Sequence, residues 1–171
     1  MAVTISSSER WFWKHREMAD MELLTRQESW NINYNHALGE TASFFFVQLR
    51  DHAKLYGKRD AKSGRVLVPP RAFSDQTLDP TTDWVEVGPG GQIEAFTIVY
   101  AAFQGLPPPP YAFGYVMLDG ADTAIGGFFR GVDLVDGDEA AKHLAIGTRI
   151  VTKFAEHRTG DVLDFWFEPA A

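Results

Sequence analysis

At 171 residues, 45% hydrophobic and 13% aromatic, the chain has the length and apolar content of one compact core with appendages, which sets it apart from disordered sequences. A formal net charge of −7 disfavours binding a polyanion through bulk electrostatics, and the absence of cysteine removes disulfides, thiolate metal sites and cysteine nucleophiles together. Met1 to Arg10 is polar and Ser-rich, unlike a signal peptide, and the longest dense apolar run, Phe44 to Val47, is too short to span a bilayer. The expectation is a soluble, cytoplasmic protein without a membrane partner.

Three zones follow in chain order: a helical segment over 1–55, an irregular module over 56–84 and a strand-rich region over 85–171. In the first, Ser6 and Glu9 have capping-box spacing, and the stretch up to about Gln27 is free of Pro. Trp11, Phe12, Met18, Ala19 and Leu23 recur at helical intervals. Asn31 to Asn35 reads as a loop. A second helix is expected over Ala42 to Ala53, with Phe45, Phe46, Leu49 and Ala53 facing inward.

The second zone holds Gly57, Gly64, Pro69, Pro70 and Pro80, with one short strand at Val66 to Val68. The third offers strands at Gln92 to Ala102, Ala112 to Leu118, Thr123 to Arg130, Thr148 to Glu156 and Val162 to Phe167. The stiff Pro107 to Pro110 run links the first two, and a short helix over Asp138 to Leu144 falls between the third and fourth. Five strands with that insertion predict a small Greek-key barrel of the oligonucleotide-binding (OB) type. The fold class is therefore mainly β with N-terminal helices.

Within the irregular zone, Asp60 and Ser63 form one pair with two intervening residues, and Ser74 and Thr77 form another, with ten residues between the pairs. Four cysteines at this spacing would make a zinc ribbon. One carboxylate and three hydroxyls are a poor donor set for zinc, so a metal-free, degenerate version is expected. The expected compensation is an apolar cluster of Val66, Val68, Phe73, Leu78 and Trp84, with Asp60 accepting hydrogen bonds from nearby hydroxyls.

The flanking segments carry a family resemblance. They are Phe45 to Arg50, Gly57 to Arg59, Gly64 to Arg71, Asp83 to Val87, Gly91, Phe96–Thr97, Pro110–Tyr111, Val116 to Gly120, Ile146–Gly147 and Phe165 to Pro169. Together they resemble the zinc-ribbon/OB-fold family long labelled a domain of unknown function, over roughly residues 44–169. Family members carry cysteines where this chain has Asp60, Ser63, Ser74 and Thr77. The resemblance implies a rubredoxin-like ribbon followed by a five-stranded OB-type barrel. It also implies an accessory role: docking on a thiolase-like or sterol-carrier-type enzyme and helping to shape an acyl-CoA site shared with that partner.

The residues themselves carry no catalytic constellation. Thiolase chemistry needs a cysteine, no Gly-x-Ser-x-Gly elbow occurs, and Gly88 to Gly91 lacks the ending of a P-loop. His15, His36, His52, His143 and His157 have no metal-ligand spacing, so no cofactor or metal is expected. Asp119, Asp122, Asp133, Asp136 and Asp138 sit in turn-like contexts where Asp serves the backbone.

Lys58, Arg59, Arg65 and Arg71 are either a solvated face or a cradle for coenzyme A phosphates. Trp11, Phe12 and Trp13 are consecutive and cannot share one helical face, so at least one is a candidate partner contact. Two other functions compete with the accessory subunit. One is an OB-type binder of single-stranded nucleic acid, which the charge balance disfavours; the other is a stand-alone acyl-CoA hydrolase or transferase.

Overall fold

The computed structural model of the chain describes residues 24–170. The described residues fall in two units, 24–36 and 37–170. In the first, residues 24–36 are exposed and carry no helix or strand. The helix expected to run to about Gln27 is therefore absent from Leu24 to Gln27, and the rest of that segment, with Trp11, Phe12 and Trp13, lies outside the described residues.

The second unit opens with helix α1 (Gly39–His52), which buries Phe45 and Leu49 one turn apart. The helix stops at Ala53, whose φ of 52° is left-handed and whose N–H returns to Leu49 O at 3.2 Å. Arg158 finishes the cap from outside the helix, donating Nε to the carbonyls of Leu49 and Arg50 at 3.1 and 3.0 Å.

Three short strands follow: β1 (Leu55–Arg59), β2 (Val66–Leu67) and β3 (Trp84–Val87). They form an antiparallel sheet in the order β2-β1-β3, pairing Lys58 with Leu67 on one side and with Trp84 on the other. Gly57 is required at its centre, because a Cβ there would come within 2.6 Å of Val66 Cγ1 and 2.8 Å of Val68 Cγ2.

The remaining strands close into a barrel: β4 (Gly90–Val99), β5 (Tyr111–Leu118), β6 (Ile125–Phe129), β7 (Arg149–Phe154) and β8 (Phe165–Pro169). Their order is β4-β5-β6-β8-β7, with a parallel contact of β6 and β8 at Phe129 and Phe167. An irregularity between Ile93 and Ala95 lets β4 serve two neighbours, β7 through Gly90 to Gln92 and β5 along most of its length. Helix α2 (Gly137–His143), capped by Asp136, lies between β6 and β7 and buries Ala140, with Leu144 buried just beyond it. This is the five-stranded OB-type barrel with its inserted helix.

The barrel core contains Ile93, Val116, Leu118, Ile125, Phe129, Ile150, Phe165 and Phe167. Phe167 is fully buried against Phe129 and Phe165, with ring centroids 5.8 and 5.7 Å away. Val162 to Asp164, expected to begin the last strand, is instead a single 3-10 turn with a capping box between Asp161 and Asp164.

The small sheet is tied to the barrel through one loop. Asp122 accepts from Val66 N at 2.8 Å through its carboxylate and donates its own N–H to Val66 O at 2.9 Å. The Thr123 hydroxyl accepts from Val68 N at 2.7 Å and donates to Val68 O at 2.8 Å. These four bonds satisfy both backbone groups of Val66 and Val68 on the side away from β1.

Candidate functional site

The chain after β1 makes two tight turns. In the first, Gly64 N–H bonds Asp60 O and Asp60 N–H bonds Arg65 O, both at 2.8 Å. In the second, Ser74 N–H bonds Asp79 O at 2.9 Å and Leu78 N–H bonds Ser74 O at 3.2 Å. Both turns aim their polar side chains at one carboxylate. Asp60 Oδ2 accepts from Ser63 Oγ at 2.6 Å and Ser74 Oγ at 2.7 Å; Oδ1 accepts from Lys62 N at 3.0 Å and Thr77 Oγ1 at 3.4 Å. Asp60 and Ser74 are 1% and 2% exposed, whereas Ser63 lies at the solvent edge of the hub.

The hydroxyls of Ser63 and then Ser74, helped by backbone N–H groups, hold the Asp60 carboxyl well below the usual carboxylate range against the opposing effect of burial. Asp60 is thus an anion at neutral pH whose oxygens are occupied by donors. A zinc ion, which the ribbon shape calls to mind, does not fit: one carboxylate already accepting four hydrogen bonds and three neutral hydroxyls supply no thiolate or imidazole.

The apolar cluster expected around this hub forms only in part. Val66 and Val68 are buried and Trp84 is half-buried, whereas Phe73 and Leu78 are 59% and 79% exposed. Leu78 sits in the second turn with a left-handed φ of 59°, and Phe73 precedes that turn at an isolated bridge to Pro80. Instead, Trp84 stacks on Phe44 of α1 with centroids 4.0 Å apart, Tyr56 meets Phe44 edge-on, and Lys58 Nζ lies 5.1 Å from the Trp84 ring centre.

The four basic residues do not form one patch. Lys58 covers Trp84, and Arg59 Nη1 donates to Gly64 O at 2.8 Å. Arg65 and Arg71 converge on Asp75, at 3.1 and 3.6 Å. The turn carboxylates are similarly engaged: Asp119 holds Arg149 through two bonds of 2.8 and 2.6 Å, Asp133 accepts from Val135 N, and Asp136 caps α2. Among the described residues, no cluster of His, Asp and Glu is arranged to hold a metal.

A second feature lies on the outside of the barrel. Along β5, buried Ala112, Gly114 and Val116 alternate with Tyr111, Phe113 and Tyr115, which face outward; Phe128 faces outward from β6. The rings pack edge to face, Tyr111 and Phe113 lying 5.8 and 5.4 Å from Phe128, and Phe113 lying 6.1 Å from Tyr115. On neighbouring β8, Trp166 carries the Arg130 guanidinium 4.2 Å from its ring centre. Beside this aromatic face runs a groove of about 470 Å³ lined by Pro107, Pro110, Tyr111, Phe128, Arg130 and Leu134. Tyr111, Phe113 and Phe128 are half-buried and Tyr115 is exposed, so this face carries aromatic area on the solvent side of the barrel. The Tyr-x-Phe-x-Tyr alternation of β5 was the sequence signal for it.

Residues 84–155 match the family described as ChsH2, C-terminal OB-fold domain. Among solved structures, the chain is similar to one described as an Ltp2-ChsH2(DUF35) aldolase, with 20% identity and a TM-score of 0.61, over 80% of this chain and 100% of that one. It is also similar to a protein of unknown function from the DUF35 family of Sulfolobus solfataricus, with 16% identity and a TM-score of 0.57, over 77% of this chain and 87% of that one. No curated protein matches the chain. Residues 84–155 are thus similar to the ChsH2 C-terminal OB-fold domain, in a chain that has the fold of the DUF35 proteins.

Proposed function

We propose that this protein is a non-catalytic accessory subunit that docks on a thiolase-like acyl-CoA enzyme and helps form that enzyme's acyl-CoA site. The observation that carries the reading is the match of its barrel to the C-terminal OB-fold of ChsH2, whose name appears with Ltp2 in an aldolase of known structure. The engagement of the turn carboxylates by backbone and arginine partners supports a binding role over a hydrolytic one. The outward rings of Tyr111, Phe113, Tyr115 and Phe128 supply the apolar area that a protein partner would bury. A single-stranded nucleic acid would use the same face by stacking, but Arg130, the cation beside it, is already committed to Trp166, and the chain is acidic overall.

Co-expression with a thiolase-like candidate partner such as Ltp2, followed by pull-down, tests the reading directly. The expected result is a stable complex that Phe128→Ala and Tyr115→Ala weaken without unfolding the chain. Failure of the wild-type proteins to associate would overturn it. Within such a complex, Arg65 and Arg71 are the residues assigned to the coenzyme A phosphates, which would displace the Asp75 carboxylate on which both now converge. Arg65→Ala and Arg71→Ala should each weaken acyl-CoA binding by the complex, and unchanged affinity in both removes that assignment while leaving the docking intact.

A further inference from the structure

The groove beside the aromatic face has a volume of about 470 Å³, within the range of small-molecule sites, which run from roughly 300 to 1,000 Å³. Its apolar wall is assembled from separate parts of the chain: Pro107 and Pro110 from the loop between β4 and β5, Phe128 from β6, Leu134 from the loop after β6, and Leu163 from the turn before β8. Leu163 is 57% exposed, so this apolar rim is open to solvent.

One side chain in the lining is charged. Arg130 follows the last residue of β6 and is exposed, on the outward side that Phe128 occupies two residues earlier. It is the exception among the arginines of residues 37–170. Arg50, Arg59, Arg65, Arg71, Arg149 and Arg158 each engage a carboxylate or carbonyl oxygen of the chain. Arg130 engages none among the described residues. The carboxylate of Glu168, on neighbouring β8, accepts from Trp166 Nε1 at 2.8 Å instead. The contact of Arg130 with the Trp166 ring, 4.2 Å from its centre, holds the guanidinium in place but consumes none of its N–H donors.

A held fork of donors in an otherwise apolar groove selects a ligand class. A planar carboxylate pairs with a guanidinium through two parallel N–H···O bonds. The lining offers no second cation, so a dianion or polyanion would keep an uncompensated charge beside Phe128 and Leu163, in a chain of net charge −7. An anion without an apolar body would leave the wall uncovered.

We propose that this groove binds a small monocarboxylate with an aryl or alkyl body, its carboxylate on Arg130 and its body against Phe128, Leu134 and Leu163. The inference rests on the groove and on Arg130, and it stands whether or not a protein partner docks on the neighbouring rings.

The test is a titration of the full-length ¹⁵N-labelled protein with 4-phenylbutanoate. The comparison compounds are 4-phenylbutan-1-ol, which lacks the charge, acetate, which lacks the body, and 4-phenylbutyl phosphate, which carries a second charge. Saturable shifts are expected with 4-phenylbutanoate at the amides of Arg130, Leu134 and Leu163, with each comparison compound binding more weakly. Arg130→Gln should weaken binding by about tenfold to a hundredfold, the loss expected for hydrogen bonds to a charged group. Leu163→Glu, at an exposed position, should weaken it as well by setting a like charge on the groove rim. The proposal is overturned by the absence of saturable shifts, by shifts confined to residues outside the groove, or by undiminished affinity in either variant. A comparison compound that binds as tightly as 4-phenylbutanoate also overturns it.

Discussion

Replacing Ser74 with alanine tests whether the Asp60 hub holds the small module together. The Ser74 hydroxyl is 2% exposed, donates to Asp60 Oδ2 at 2.7 Å and accepts from the N–H groups of Gln76 and Thr77, each at 3.2 Å. A hydrogen bond to a charged group contributes about 1.5–3 kcal/mol, and losing the acceptor of two turn N–H groups adds to it, so Ser74→Ala should cost about 2–4 kcal/mol. For a folded unit of this size, that lowers the melting temperature by about 6–15 °C. Ser63→Ala removes an equally short bond to the same carboxylate, but Ser63 is exposed and water can replace its hydroxyl, so the expected loss is about 1 kcal/mol or less. Thermal melts followed by circular dichroism or calorimetry compare the two. In an Asp60→Ala background, Ser74→Ala should cost much less than in wild type, because the bond it removes is already gone. Equal losses for Ser63→Ala and Ser74→Ala, or full additivity with Asp60→Ala, would show that the hub is incidental.

The acid limb of the stability curve follows from the same carboxylate. Its folded-state pKa is depressed, so its contribution is complete above the unfolded value near about 3.9 and is lost as pH falls below it. Asp60→Asn should therefore flatten the decline in melting temperature between about pH 5 and pH 2, and an unchanged slope would count against the assignment. Since both turns converge on one point, combining Asp60→Cys, Ser63→Cys, Ser74→Cys and Thr77→Cys should create a site holding one zinc per chain. Elemental analysis of that variant beside wild type, which is expected to carry none, decides the matter. Phe167→Ala, at the centre of the barrel core, should cost about 3–5 kcal/mol, and a denaturant midpoint near that of wild type would mean that the core repacks around the loss.

The barrel was legible in the sequence because its strands alternate between inside and outside. Ala112, Gly114 and Val116 against Tyr111, Phe113 and Tyr115 state the register outright. The last strand was placed three residues early: Val162 to Asp164 satisfies the strand pattern, but Asp164 accepts from three consecutive N–H groups of Thr159, Gly160 and Asp161 and folds that stretch into a turn. Strands β1 and β3 escaped notice because they are short and pair across some thirty residues, Tyr56 with Glu86, so their partners cannot be read locally. The convergence of Asp60, Ser63, Ser74 and Thr77 has a spacing in the sequence, but spacing does not say which side chains turn inward. Phe73 and Leu78 show this: both look like core residues and both face solvent. The contact of Arg130 with Trp166 joins side chains from distant elements and leaves no local trace.

The hub reverses the polarity of the site that its shape suggests. In a zinc ribbon, a cation sits at the centre and four anionic sulfurs surround it. Here an anion sits at the centre and three hydroxyls and a backbone N–H point their positive ends at it. An aspartate extends one atom further from Cβ than a cysteine, so its oxygens reach into the space a metal would occupy. Two turns can thus be held in a ribbon-like arrangement by an attraction of the same geometry and opposite sign.

The two solutions differ in strength. Structural zinc supplies about 10–16 kcal/mol in small peptides, enough to fold them alone, whereas hydrogen bonds gain only what remains after their exchange with water. The balance has to come from elsewhere, and the bonds of Asp122 and Thr123 to Val66 and Val68, with Trp84 stacked on Phe44, show where: from the barrel loop and from α1. A peptide spanning residues 55–87 lacks both supports and is shorter than the length at which domains fold without staples, about 40 residues. Circular dichroism of that peptide should show no strand signal in the presence or absence of zinc, while the full-length chain retains it. A folded peptide would mean that the hub alone suffices and that the barrel contacts are redundant.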